Sequence, residues 1–96
     1  MVIDTSALLA ILVDEEEGLR DPDLFIDRAG IEIAEVDLEQ GQLARRAFSR
    51  FGKGRHRAGL NYGDCFAYAL AVARGESLLY KGEDFAQTDV ISVIPR

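Results

Sequence analysis

Apolar and polar positions fall in blocks along the chain that switch between strand and helix periods. Val2-Ile3 is a short apolar run closed by Asp4, and Thr5-Ser6 leads into Ala7-Leu8-Leu9-Ala10-Ile11-Leu12. This order predicts a strand, a polar turn and a helix. Thr5 or Ser6 is the expected cap, because a side-chain oxygen there can accept from an otherwise unpaired backbone N–H. The acidic run Asp14 to Glu17 ends the apolar pattern, and Gly18-Leu19-Arg20-Asp21-Pro22 predicts a break in regular structure. Asp23 to Ala29, with Leu24, Phe25 and Ala29 apolar, predicts a short helix closed by Gly30.

Ile31 and Ile33 alternate with Glu32 and lead through Val36 to Asp37, which predicts a second strand. Asp37 followed by Gln40 has the spacing of a capping box, and in the helix it opens Leu43, Ala44, Ala47, Phe48 and Phe51 share one face. Gly52 ends that helix, and Lys53 to Gly59 is a basic, glycine-punctuated loop expected to be mobile. Asp64 to Ala73 is apolar nearly all round and predicts a buried helix stopped by Gly75. Leu78-Leu79-Tyr80 and Val90 to Ile94 complete the strands. Strands alternating with helices predict an α/β fold of three layers, α/β/α, around a mostly parallel central sheet.

The length, 96 residues, suits one small domain spanning positions 1–96. The longest uncharged apolar stretch, Thr5 to Val13, is too short to span a bilayer, so no membrane association is expected. A single cysteine, Cys65, excludes an internal disulfide and suits a reducing, cytoplasmic location. The net charge of −6 argues against a nucleic-acid partner, but its distribution argues for one. Arg45, Arg46, Arg50, Lys53, Arg55 and Arg57 crowd one segment, and no Asp or Glu occurs from Gln40 to Gly63. Such a block is an electrostatic footprint for a phosphate backbone, although many charge runs are only solvated helix faces. His56, alone in this loop, reads as a solvated or phosphate-contacting group.

Asp4, Asp64 and Asp84 each stand where an apolar run meets a turn or a helix start. In open α/β sheets such junctions converge on the carboxyl ends of the strands, where ligands bind. Carboxylates gathered there repel, by about 4 kcal/mol for two charges roughly 4 Å apart at an effective dielectric of about 20. A hard divalent cation offsets that repulsion. Taken singly, each Asp has an ordinary reading as a helix cap or a first-turn acid favoured by the helix dipole.

Several stretches carry a resemblance. Val2-Ile3-Asp4-Thr5-Ser6-Ala7-Leu8, Phe51-Gly52-Lys53-Gly54-Arg55-His56, Gly59 through Tyr68, Tyr80-Lys81-Gly82-Glu83-Asp84-Phe85 and Thr88-Asp89-Val90 together resemble the VapC toxins, PIN-domain ribonucleases of bacterial type II toxin–antitoxin systems. The resemblance covers Met1 to about Asp14 and Gly18 to the end. It implies a PIN-like fold, a Mg²⁺- or Mn²⁺-dependent endoribonuclease, a homodimer, and a cognate VapB-type antitoxin whose tail occupies the active-site groove. Asp4, Asp64 and Asp84 fall on the family's acidic positions, and Thr5 or Ser6 matches its hydroxyl residue beside the first acid. Family members are longer. Between positions matching Glu17 and Gly18 they carry the rest of a helix, a parallel strand that lies between the first strand and the Ile31 strand, and a helix whose glutamate completes the acidic set. Omitting that strand would expose a central sheet edge, so a segment is expected to be missing from the sequence between Glu17 and Gly18. A genuine deletion is the alternative, and it would put activity in doubt.

On this reading Asp4, Asp64 and Asp84 hold the metal for phosphodiester hydrolysis without a covalent intermediate. Lys53, Arg55 and Arg57 grip RNA phosphates, and Tyr62 stacks on an unpaired base. The rival from another class is a PIN-like module that binds antitoxin or RNA without cleaving. A receiver-type phosphotransfer domain is weaker, because the acidic pair it needs near Asp4 is absent.

Overall fold

The computed structural model describes residues 1–94. Strand β1, Val2–Ile3, pairs in parallel with β2, Leu78–Leu79, with Val2 opposite Leu78 and Ile3 opposite Leu79. The Val2 N–H donates to the Ser77 carbonyl at 2.8 Å and the Asp4 N–H to the Leu79 carbonyl at 2.9 Å, so Asp4 leaves the sheet at its carboxyl end. Of the strand expected at Val90–Ile94, the described part supplies a single parallel bridge, Leu78 to Ser92. The ladder is limited by β2, which is only two residues long, and by the Ser92 hydroxyl, which donates to the Ile94 carbonyl at 2.7 Å.

Five α-helices accompany the strands: α1 Thr5–Asp14, α2 Glu16–Arg20, α3 Pro22–Arg28, α4 Leu38–Phe51 and α5 Tyr62–Arg74. A 3-10 turn follows at Phe85–Gln87. The first helix is capped by Asp4, not by Thr5 or Ser6, which lie inside it. A carboxylate one residue earlier reaches the Ser6 N–H at 3.1 Å and so takes the capping position.

The break expected in Gly18 to Pro22 falls at Asp21, between α2 and α3, while Gly18 itself lies inside α2. Glu16 and Glu17 sit in the first turn of α2 and Arg20 in its last, which suits the helix dipole, and Arg20 pairs with Glu16 at 3.2 Å. Glu17 and Gly18 are consecutive residues of this helix, whose bonds Leu19 N–H to Glu15 and Asp21 N–H to Glu17 span the junction. Gly18 is buried against α1, and a Cβ there would lie 2.7 Å from the Leu12 carbonyl oxygen. Pro22 opens α3 at a position where a missing N–H costs nothing, with Asp21 capping the Leu24 N–H at 3.1 Å.

Ile31 to Asp37 forms no strand. A strand needs a neighbour, and no backbone ladder reaches this segment. Ile33 and Val36 are consequently 73% and 58% exposed. Asp37 caps α4 as expected, accepting from the Gln40 N–H at 2.8 Å.

The core lies where α4 and α5 pack on each other and α5 covers both strands. Leu60, Leu78 and Cys65 are its largest fully buried side chains, joined by Phe51, Tyr68, Phe85 and Val90. One expectation is corrected here: Phe66 and Val72 on α5 face outward, 41% and 45% exposed, so that helix is not buried all round. Gly75 ends α5 in the left-handed conformation, φ 63°, as a helix stop requires.

Candidate active site and nucleic-acid face

Asp4 is fixed by the sheet behind it and the helix ahead of it. Its carboxylate is 4% exposed and accepts both the Ser6 N–H and, at 2.5 Å, the Ser6 hydroxyl. The same hydroxyl oxygen accepts the Lys81 N–H at 3.2 Å. Ser6 therefore ties the turn after β1 to the loop after β2 that carries Asp84, itself exposed at the start of the 3-10 turn. Thr5 occupies the exposed first position of α1.

Asp64 arrives from a third segment. It is the N3 residue of α5 in a complete capping box: the Asn61 side chain accepts the Asp64 N–H at 2.8 Å, and the Asp64 carboxylate accepts the Asn61 N–H at 3.0 Å. Burial pushes the Asp64 carboxyl above its usual range, the Asn61 N–H opposes that, and the negative fields of Asp4 and Asp84 add to it. The charges of Asp4 and Asp84 thus act on the Asp64 carboxyl. The three acids do not form a cage: among the described residues no group of three or more His, Cys, Asp or Glu side chains could hold a metal ion. A three-carboxylate ion site does not fit this arrangement as it stands.

The basic residues form a surface on the outer side of α4 and the loop after it. Lys53, Arg55 and Arg57 are exposed and enter no ion pair among the described residues. Arg50 is committed elsewhere, pairing with Asp89 at 3.0 Å and lying 4.6 Å over the Phe51 ring. The loop is pinned: Lys53 N–H donates to Leu60 at 2.9 Å, Leu60 N–H to Phe51 at 3.0 Å, and both Arg55 and His56 N–H groups to Gly52. His56 is half-buried, its Nδ1 accepting the Ala58 N–H at 3.0 Å and its ring edge-on to Phe51. Tyr62 is 67% exposed, yet one face is already stacked on Phe48, centroids 4.4 Å apart.

Sequence reasoning missed the Asn61 cap, although Asn61 three residues before Asp64 is a legible signal. It also missed Asp89, which accepts the Tyr68 hydroxyl at 2.5 Å and anchors Arg50. No local pattern announces that contact, because its members lie up to 39 positions apart.

Parallel strands with acids at their carboxyl ends, beside a basic face, define an α/β domain of the kind that handles phosphate esters. The PIN domain model matches residues 16–91, beyond β1 and Asp4. Ribonuclease VapC of Mycolicibacterium smegmatis is 44% identical over 128 aligned positions, covering 97% of this chain and 99% of the relative. Ribonuclease VapC30 of Mycobacterium tuberculosis is 41% identical, with 97% and 98% covered. The chain belongs to the PIN-domain family, in its VapC group.

Those alignments run over 128 positions, more than the 96 residues present, so the relatives carry a stretch with no counterpart here. Ribonuclease VapC42 of Mycobacterium tuberculosis aligns at 42% identity over 78 residues that cover 80% of this chain and 60% of the relative, with next to no gaps.

Proposed function

We propose that this chain hydrolyses RNA phosphodiester bonds, as an endoribonuclease of a type II toxin–antitoxin module that requires Mg²⁺ or Mn²⁺. The reading is supported by Ser6, which ties the turn carrying Asp4 to the loop carrying Asp84, and by the charges of Asp4 and Asp84 acting on the Asp64 carboxyl. Carboxylates at one rim would repel phosphate, and a divalent cation between them would offset that repulsion and favour hydrolysis, although their present spacing does not hold one. Asp4, Asp64 and Asp84 are the residues that would hold it, after drawing closer together than they stand now.

The remaining residues bind and position. Lys53, Arg55 and Arg57, free of acidic partners among the described residues, grip phosphates, and the outer face of Tyr62 is open to a base. Ser6 holds Asp4 and the Asp84 loop in register. A VapB-type antitoxin is the expected inhibitor and a homodimer the expected assembly, checked by co-purification and by light scattering.

The test is incubation with unstructured RNA, with and without Mg²⁺ or Mn²⁺, of the wild type and of Asp64→Asn. Metal-dependent cleavage lost in the variant supports the reading. A second reading, a module that binds RNA or antitoxin without cleaving, is favoured by the open spacing of the acids and by the stretch that the relatives have and this chain lacks. RNA bound but intact with either metal would establish it.

A further inference from the structure

A cavity of about 340 Å³ opens between the first half of α4 and the start of α5, lined by Arg45, Phe48, Arg55, Tyr62 and Phe66. Its volume is at the small end of pockets that enclose organic ligands. Three aromatic rings meet there: Phe48 and Tyr62 lie nearly parallel, 16° apart, and Tyr62 and Phe66 both keep exposed surface. Two arginines flank the rings. Arg55 lies 5.7 Å over Phe48, and neither Arg45 nor Arg55 has a carboxylate partner among the described residues. A further lining residue is Gly41, in the first turns of α4, where glycine costs up to about 1 kcal/mol relative to alanine. A Cβ at Gly41 would meet nothing within 4 Å, so packing inside the chain does not require the glycine. Its absent side chain keeps the cavity open.

The geometry points to a subsite for one unpaired nucleotide, its base stacked on the Tyr62–Phe48 pair beside Phe66 and its phosphate paired to Arg45 and Arg55. Flat π-faces with adjacent free guanidinium groups are the chemistry that takes a base and a phosphate together. The subsite is distinct from the acidic rim. Asp64 is two residues on from Tyr62, on the other side of a helix with about 3.6 residues per turn, so roughly one helix diameter of about 10 Å separates the two. The nucleotide held here is a neighbour of the one attacked, and it contributes sequence-tolerant binding. The inference rests on the reading of the chain as an RNA-binding protein; an acidic peptide is the competing occupant.

The test uses the full chain in EDTA, so that binding is read without cleavage. A short unstructured RNA carrying a fluorescent purine analogue is titrated against the wild type, Gly41→Leu and Arg45→Gln, with an abasic RNA of equal length as control. Gly41→Leu improves helix propensity and fills the cavity, so loss of binding would not reflect loss of the helix. The expected result is saturable quenching by the wild type and at least about fivefold weaker binding by Gly41→Leu, the lower end for one stacked base. Arg45→Gln should flatten the salt dependence, and abasic RNA should bind wild type and Gly41→Leu alike. Equal affinity of wild type and Gly41→Leu for the base-containing RNA would overturn the subsite while leaving RNA binding intact. The subsite would also be overturned if Gly41→Leu impaired only the binding of an acidic peptide, which would assign the cavity to a protein partner. No RNA binding by the wild type, with no cleavage in Mg²⁺, would remove the subsite and the ribonuclease reading together.

Discussion

Substitution of Asp4 separates its structural work from its chemical work. In Asp4→Asn the side-chain oxygen can still accept the Ser6 N–H, now at 3.1 Å, so α1 keeps its cap. The Ser6 hydroxyl, at 2.5 Å, loses a charged acceptor and gains a neutral one. A hydrogen bond to a charged group contributes about 1.5–3 kcal/mol against about 0.5–1.5 for a neutral pair, so the exchange costs about 1 kcal/mol. Relief of repulsion against Asp64 offsets part of that. Asp4→Ala removes the cap, about 1 kcal/mol, and the whole Ser6 bond as well. For a domain of this size 1 kcal/mol moves Tm by about 4–8 °C, so the Asn variant should melt within about 8 °C of wild type and the Ala variant at least about 10 °C lower. Thermal unfolding followed by circular dichroism, paired with an RNA cleavage assay, reads both effects. Cleavage should be lost in both variants. Wild-type cleavage by Asp4→Asn, or identical melting of the two variants, would refute the reasoning.

Gly18→Ala should destabilise by about 1–3 kcal/mol, because its Cβ meets the Leu12 backbone at 2.7–2.9 Å and must push α2 off α1; urea denaturation measures it, and an unchanged midpoint would deny that close approach. Burial pushes the Cys65 thiol up to about 11, and burial with the bond to Asp89 pushes the Tyr68 hydroxyl up to about 12. Both groups are held protonated, so their contribution is full below their ordinary values. It is lost as pH rises through 11 and 12, and unfolding free energy should fall across that window. Tyr68→Phe should cost about 1.5–3 kcal/mol at neutral pH by removing a charge-assisted bond, and should make the alkaline loss shallower. Arg55→Ala should weaken RNA binding and lower its salt slope, whereas Arg50→Ala should act chiefly on stability through Asp89.

Helices with strong end signals were legible in the sequence. Asp37 with Gln40 set the start of α4, and Gly75, needing positive φ, set the end of α5. Where a cap had competitors, the choice was not legible: Asp4, Thr5 and Ser6 could all cap α1, and Asp4 does. The break read at Pro22 was legible, but that Pro22 also opens α3 was not, because that depends on Asp21 capping the new helix. Ile31 to Val36 carries a strand pattern with no strand, since pairing is a tertiary property and this chain lacks the neighbour. The acids Asp4, Asp64 and Asp84 were expected to meet at one rim; Ser6 joins the Asp4 turn to the Asp84 loop, and the charges of Asp4 and Asp84 act on Asp64. Their distance from a metal-holding geometry was not legible, because it depends on tenths of a helix turn and on residues absent from the chain. The aromatic and arginine cavity was half visible: Tyr62, Arg45 and Arg55 stood out, while Phe48 and Gly41 read as ordinary helix positions.

Everything chemical in this account depends on three acids from three segments acting as one site. The direct measurement is the carboxyl titration of Asp64 by NMR, in the wild type and in the Asp4→Asn, Asp84→Asn double variant. The account predicts a wild-type value above the ordinary carboxylate range that drops in the double variant, with the remainder due to burial. A value unchanged by removing both neighbouring charges would mean that the acids do not share a site, and would contradict it.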